Sequence, residues 1–568
     1  MEAVWFLDFE FNADDVHCLV AIHSSGKTMT LWTDELAGRR EAPFPPGALL
    51  VAYFSSAEVV QFLRLGWNPN DFRWIDLYAE FRCLTNADVR RTGASLLDAM
   101  AFFALDGLGA SHKDEMRDLA IRGGPFTDTE KLELLSYCRS DVDALVKLWG
   151  AMAHRLDVTR AFLRGRYQVA VGRMELAGIP LDGESLVDLQ RYWSQIRRKL
   201  IADVDEKFGV FEGEVFKRDR FLEYVERRGI AWPRLASGAP DLKEATFRDM
   251  SLQHPELEPL RQLRDGLSQM SRIGLAVDPD GRSRTMVSPF RAKSGRNQPS
   301  TSRFIFGAAA WLRSLIMPKP GRAVFYVDYS QQEFGIAAAL SGDAAMAEAY
   351  RSGDPYLAFA KQAGAVPKDA TKDSHPNERK LFKQCTLAVQ YGQGAESFAR
   401  RIGATMNEAQ RLLRLHRETY KTFWAWSDRV VTYAMLHGVL FTRFNWRMQV
   451  GPTAREPSLR NFPMQANGAE MLRVACILGT ENGIRICAPV HDAVLVECGI
   501  DEVDECVDRM RACMRIASEI VCPGFPLDTD VEIVRYPERY EDERGAAMWR
   551  QVSDLLQSVK EGHHAIAS

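Results

Sequence analysis

The 568-residue sequence predicts an α/β multidomain fold, and three observations carry that expectation. The length exceeds what one ordinary core serves, so the chain divides into several lobes. Apolar strand-like runs carry or end in carboxylates: Val4 to Phe11 includes Asp8 and Glu10, and Ala323 to Val327 stops at Asp328, where a helix begins. Helical patterns separate these runs, among them Lys131 to Trp149 and Arg379 to Tyr391.

In the first run, residues two apart in a strand point the same way, so Asp8 and Glu10 share a face. Side by side they repel each other unless a cation sits between them. Tyr137 and Asp141, four apart within the Lys131 to Trp149 pattern, align on one helix face. A tyrosine hydroxyl orients a water while an aspartate holds a metal, which suits phosphodiester hydrolysis. Taken singly, the same two residues read as core and surface.

Asp328 has a distant counterpart. Ile486 to Glu497 reads as two β runs with Asp492 near the turn between them. Either aspartate alone is a turn residue or a helix cap. Together, two strand-borne aspartates share divalent metals as phosphoryl transfer requires: one metal activates the attacking oxygen, the other stabilises the leaving oxygen, and both offset phosphate charge. Between them in sequence, Arg379, Lys383, Leu387 and Tyr391 are spaced by four and drift by roughly 40° per step along one helix face. Two cations followed by two flat or apolar side chains suit a nucleoside triphosphate. Without its neighbours the same spacing is a solvated basic face running into a core face.

The three elements together resemble motifs A, B and C of the family A DNA polymerases: Asp-Tyr-Ser-Gln-x-Glu at 328 to 333, Arg-x3-Lys-x7-Tyr-Gly at 379 to 392, and Val-His-Asp at 490 to 492. The resemblance implies that Asp328 and Asp492 bind the catalytic metals, with the Tyr329 carbonyl as a further ligand. It makes Glu333 the residue that excludes ribonucleotides. Arg379 and Lys383 become triphosphate ligands, Lys383 also a proton donor, and Tyr391 the aromatic at the templating base. Leu387, Gln331 and His491 complete the implied substrate set. Ser294-Gly295-Arg296 resembles a segment whose arginine probes the minor groove near the primer terminus. Arg460-Asn461 to Gln465 resembles the segment before motif C, implying DNA contacts from Arg460, Asn461 and Gln465.

The pattern has departures. Leu387 stands where the family usually has Phe or Tyr, Gly335 where an arginine is common, and Ala493 where a glutamate often follows the motif C aspartate. None of these removes an implied metal ligand.

Asp8-x-Glu10 and Tyr137-x3-Asp141 resemble the first and third motifs of 3′–5′ proofreading exonucleases of the DEDD type, with a ribonuclease H-like fold. Their second acid is assigned to Glu58, after Val51 to Ala57, with Asp76 as the alternative. The implied metal set is Asp8, Glu10, Glu58 and Asp141, with Tyr137 catalytic.

Composition constrains the rest. The apolar fraction of 46% is that of a globular protein. No stretch of about 18 uncharged apolar residues occurs, nor a basic-then-apolar N-terminal signal, so neither membrane insertion nor secretion is expected. Ten cysteines without a Cys-x-x-Cys pair argue against structural zinc and for a reducing compartment. The formal net charge of −4 conceals an acid-free stretch from Gly281 to Val327 holding Arg282, Arg284, Arg291, Lys293, Arg296, Arg303, Arg313, Lys319 and Arg322. Arg411, Arg414, Arg417 and Lys421 form a second basic series, equally readable as a solvated face or as a DNA contact.

The expected layout is an exonuclease domain at residues 1–155 and a right-hand polymerase domain at 156–568. Its thumb is expected near 164–271, its palm near 272–342 and 439–568, and its fingers near 343–438, with Glu561 to Ser568 a disordered tail. The expected activity is template-directed DNA synthesis with proofreading, in a bacterial cytoplasm or that of a phage-infected host. Two Mg²⁺ serve each active site, with Mn²⁺ able to substitute. The expected partners are primer–template DNA, dNTPs and a single-stranded 3′ end. A processivity or helicase partner is left unassigned. The rival readings are a 3′–5′ exonuclease whose polymerase half only grips DNA, and a non-catalytic DNA-binding scaffold.

Overall fold

The computed structural model describes residues 3–106, 111–270 and 274–567, without the side chains of 111–113, 269–270 and 562–567. The expected thumb–palm boundary at 271/272 lies outside the described residues.

The N-terminal lobe is built on a five-stranded mixed sheet in the order Thr28–Trp32, Val16–His23, Val4–Phe11, Leu49–Ala52, Arg73–Asp76. The first three strands pair antiparallel and the last two run parallel to Val4–Phe11. Both faces are covered, which is why the strands read as nearly continuous apolar runs. On one face Val4, Phe6, Val20, Val51 and Ile75 pack against Cys138, Val142, Leu145 and Leu148 of the helix Asp128–Met152. That helix starts at a capping box between Thr127 and Glu130. On the other face Trp5, Leu7, Phe9 and Leu19 pack with Phe62 of the helix Ser56–Arg64 and with Trp67 and Trp74. Period-2 alternation therefore puts Asp8 and Glu10 on the face of the long helix, beyond the apolar Val4 and Phe6.

The helix Val158–Ala177 joins this lobe to the rest. One side meets the helix Ser56–Arg64 and the strand Arg73–Asp76, the other the helix Glu456–Glu481 and the strand Ile486–Val490. An added Cβ at Gly165 would sit 1.9 Å from the Trp74 carbonyl oxygen, so only glycine permits this approach. The buried ion pair of Arg164 with Glu80, 2.8 Å from Nη2 to Oε2, fixes the junction. Of the segment expected as thumb, this helix thus packs between lobes. The helices Gly183–Phe208, Arg218–Arg227, Glu244–Gln253 and Glu258–Met270 form the separate helical unit, with Leu189, Ile196, Leu200, Phe221, Phe247 and Leu263 in its core.

The C-terminal segment departs from the expected disordered tail. It is helical over Ala546–Ala567 and lies against Gly183–Phe208. Met548 and Val552 are buried there and Lys560 pairs with Asp188 at 2.5 Å, so a polar ending is carried into a helix by the apolar face preceding it.

A four-stranded antiparallel sheet follows, in the order Ile486–Val490, Ala493–Gly499, Arg322–Tyr329, Thr529–Arg535. The helices Gln332–Ser341, Glu456–Glu481 and Val503–Val521 cover one face through Phe334, Ile336, Met471, Ala475 and Met510. A helical insertion, from Ala344–Arg351 to Lys421–His437, rises beside this sheet and includes the helix Pro376–Gln390.

Much of the basic stretch 281–327 is neutralised by acids that lie outside it. Arg282 is buried against Glu497, Arg284 pairs with Asp278 and Asp280, Arg296 with Glu333, and Arg313 with Asp542. A run without acids in sequence is therefore not a free cationic surface in space.

Candidate active sites

Asp328 lies near the end of the strand Arg322–Tyr329, with Ala493 as its cross-strand partner on one side and Asp530 on the other. Asp492 sits in the two-residue turn between Ile486–Val490 and Ala493–Gly499, beside His491, whose φ of +57° is the left-handed backbone of a tight hairpin. The turn brings Asp492 against Asp328. Burial and the facing Asp492 carboxyl push Asp328 up to about 8, and burial raises Asp492 as well. Asp328 Oδ1 is buried and has no hydrogen-bond partner. Two half-buried carboxyls, one with an orphaned oxygen, fit a divalent cation, whose charge reverses the penalty of bringing both acids together.

Gln331 also has a left-handed φ, +45°, and leads into the helix Gln332–Ser341, which carries Glu333 in its first turn. Glu333 Oε1 accepts from Arg296 Nη2 at 2.9 Å. Gly295, at φ +75°, makes the turn that delivers Arg296, and its carbonyl accepts from Arg473 Nη1 at 2.7 Å. A cavity of about 430 Å³ is lined by Arg296, Gln331, Glu333, Tyr356, Leu387, Tyr391, His491 and Asp492.

On the helix Pro376–Gln390 and its cap, Leu387 and Tyr391 reach this cavity, while Arg379 and Lys383 lie further back along the same face. There the Lys383 Nζ is 5.5 Å and the Arg379 guanidinium 6.0 Å from the centre of the Tyr356 ring, and Arg379 pairs with Asp354. Tyr391 is 52% exposed and also lines a second cavity, of about 510 Å³, with Lys293, Ser294, Arg455, Asn461 and Gln465. It is the partition between the two.

Arg460 does not join Asn461 and Gln465. Its donors are taken by Ser427 at 2.8 Å, Asp428 at 2.7 Å and Glu456 at 2.9 Å. The reason is helical geometry: 461 and 465 are four apart and share a face, whereas 460 is turned by about 100° from 461.

The N-terminal acids also converge. Asp8, Glu10 and Cys138 place ligand atoms within 4.8 Å of one another, the one such group of three among the described residues. Burial raises Glu10 well above the usual range, with Asp8, Cys18, Asp141 and Glu58 adding to it. Glu58 is 3% exposed and is likewise raised, first by burial and then by Asp8, against a hydrogen bond from the Phe9 backbone. Tyr137 is raised by burial and by Asp141, Glu10 and Asp8. The structure thus gathers Asp8, Glu10, Glu58, Tyr137 and Asp141. Asp76 is occupied otherwise: it accepts from the backbone N–H groups of Phe54 and Tyr78, both at 2.9 Å, and from Gln168, and caps the helix Leu77–Leu84.

Sequence reasoning missed three groups near these sites. Asp530 accepts from Ser330 Oγ at 2.7 Å. Tyr350 donates to the Ser330 carbonyl at 3.1 Å and accepts from the Asp528 N–H at 3.0 Å. Cys138 directly follows Tyr137, but nothing in a helical pattern marks a buried thiol as a ligand.

Residues 303–536 match the family model described as DNA polymerase family A, and the chain carries a family A DNA polymerase domain. Its relatives are more particular. It is 27% identical over 71% of its length to the DNA polymerase of Mycobacterium phage D29, covering 67% of that protein. It is 23% identical over 74% to DNA polymerase I of Chloroflexus aurantiacus and 24% identical over 64% to the thermostable DNA polymerase I of Thermus aquaticus. The matches span 48% and 46% of those two proteins, so the chain spans about half their length. The POL domain of Pol1 from M. smegmatis, solved in complex with DNA primer-template and dNTP, shares the fold, with a TM-score of 0.72, 20% identity and 96% coverage of both chains.

Proposed function

We propose that the chain is a template-directed DNA polymerase that extends a primer 3′ end with dNTPs, and that its N-terminal lobe is a 3′–5′ proofreading exonuclease. The observation that carries the first part is the Asp328–Asp492 pair, with the orphaned Asp328 Oδ1, whose Asp492 lines a cavity shared with Glu333, Leu387 and Tyr391. Asp328, Asp492 and the Tyr329 carbonyl would hold the Mg²⁺ pair there, and Asp8, Glu10, Glu58 and Asp141 the second pair. When bound, such a pair offsets phosphate charge and favours displacement at phosphorus.

The chain's own residues do the rest. Arg379 and Lys383 neutralise the triphosphate, and Lys383 carries a proton to the departing pyrophosphate. Leu387 packs on the incoming sugar and Tyr391 on the templating base. Glu333 occupies the space a ribose 2′-hydroxyl would need. Arg296, Asn461 and Gln465 contact the minor groove. In the N-terminal lobe, Tyr137 orients the attacking water beside Asp141.

Primer extension with and without dNTPs tests the reading. Extension with dNTPs and shortening without them is the expected result. Shortening alone would leave an exonuclease with a DNA-gripping second half, and an unchanged complex would leave a scaffold.

A further inference from the structure

The helix Asp128–Met152 buries Leu134, Cys138, Val142, Leu145 and Leu148 against the first two strands. Packing alone would be served by an aliphatic side chain at each of these positions. At 138 there is a thiol, fully buried, with Sγ 3.2 Å from the Asp8 carbonyl oxygen, to which it donates. Its sulfur and carboxylate oxygens of Asp8 and Glu10 all lie within 4.8 Å of one another. A second thiol, Cys18, is the cross-strand partner of Glu10 and touches Cys138.

We propose that Cys138 is a third protein ligand beside Asp8 and Glu10, giving the N-terminal site a mixed oxygen and sulfur set that takes a thiophilic divalent cation such as Zn²⁺ in competition with Mg²⁺. The proposal rests on the reading of Asp8 and Glu10 as metal-holding groups. Zinc bonds sulfur at about 2.3 Å and carboxylate oxygen at about 2.0–2.2 Å, so tetrahedral ligand atoms stand about 3.5 Å apart. A group whose ligand atoms already lie within 4.8 Å of one another reaches that spacing by side-chain rotation. On binding, the sulfur–metal bond forms, the sulfur–hydrogen bond breaks, and the proton passes to solvent. Mg²⁺ prefers oxygen and leaves the thiol protonated, whereas a thiolate selects the softer ion. One lobe therefore accepts two metal sets: a hard one on carboxylates alone, and a soft one that recruits Cys138.

The test is titration of the full chain with Cd²⁺, whose bond to a thiolate gives an ultraviolet charge-transfer band. Any non-saturable background from the other nine cysteines is measured in Cys138→Ser and subtracted. The expected result is a saturable band in the native protein, bleached by Zn²⁺ at concentrations comparable to the Cd²⁺ and by Mg²⁺ only in large excess. It is lost in both Cys138→Ser and Asp8→Asn, with Zn²⁺ affinity reduced by about tenfold or more. Thermal melts establish that each variant is folded; the Zn²⁺ bleaching is read on the native chain and needs no variant. A band that persists in Cys138→Ser overturns the proposal, as does bound Cd²⁺ counted by equilibrium dialysis with no band. Mg²⁺-dependent single-strand degradation is assayed in parallel: its absence with the band intact would defeat the exonuclease reading and leave the metal site standing.

Discussion

Arg296 and Glu333 are paired at 2.9 Å across the cavity that contains Asp492, which ties the Gly295 turn to the first turn of the helix Gln332–Ser341. A residue assigned to the primer minor groove thus holds the residue assigned to the sugar edge. The pair orients Glu333 and offsets part of the rise that burial, with Asp492, imposes on its carboxyl.

Glu333→Ala opens the space beside the incoming sugar. Discrimination against ribonucleotides in primer extension should fall on the order of tenfold or more. Unchanged sugar preference in the variant would remove Glu333 from this role.

Asp492→Asn removes one of the two facing carboxylates. Nucleotide incorporation should drop by about a thousandfold or more, while degradation of a single strand continues at the native rate. The two acid clusters are on different sheets, and joint loss of both activities would contradict their independence.

The raised Asp328 gives a pH signature. Its folded pKa of about 8 lies above the ordinary 3.8, so the unfolded chain releases this proton first. In chelator, stability contributed by this group is fully present below about pH 4 and lost as pH rises through 8. Asp328→Asn should therefore raise the melting temperature of the metal-free protein by a few degrees at pH 8, with the gain vanishing toward pH 4. Calorimetry across that range checks the sign.

Glu58 and Asp76 separate by phenotype. Glu58→Gln should abolish single-strand degradation with stability kept or increased, because a buried carboxyl beside Asp8 is neutralised. Asp76→Asn should cost about 1–2 kcal/mol, since it weakens a helix cap and a buried network. Urea melts paired with a nuclease assay distinguish the two.

Gly335 is the packing partner of Tyr350 and Leu527. A Cβ there would stand 2.9 Å from Tyr350 Cε2 and 2.2 Å from Leu527 Cδ2. Gly335→Ala should destabilise by about 1–3 kcal/mol and slow incorporation, because Tyr350 spans Ser330 and Asp528 beside the Asp328 strand.

Particular residues show how far the sequence could be read. The strand carrying Asp328, the hairpin turn at Asp492 and the helix face of Arg379, Lys383, Leu387 and Tyr391 were legible, because each depends on periodicity and turn chemistry within one short segment. The acidic face of Asp8 and Glu10 was legible for the same reason. The choice between Glu58 and Asp76 was not, because both follow an apolar strand; it turns on which one caps its helix and which one faces Asp8. The helical tail was misread because polar residues near Glu561 concealed the anchoring of Met548 and Val552 one element earlier.

By itself the sequence determined the strands, the helix faces, the acids they carry and the family they resemble, since backbone periodicity fixes which side chains share a face. Only the tertiary structure decided which charges meet. It turned Arg460 toward Asp428 and Glu456, paired Arg296 with Glu333, buried Arg282 against Glu497 and Arg313 beside Asp542, and set the Cys138 thiol against Asp8 and Glu10. Apart from Arg460–Glu456 on one helix, those contacts join residues tens to hundreds of positions apart, where burial and Coulomb energy depend on spatial distance, which no local pattern records.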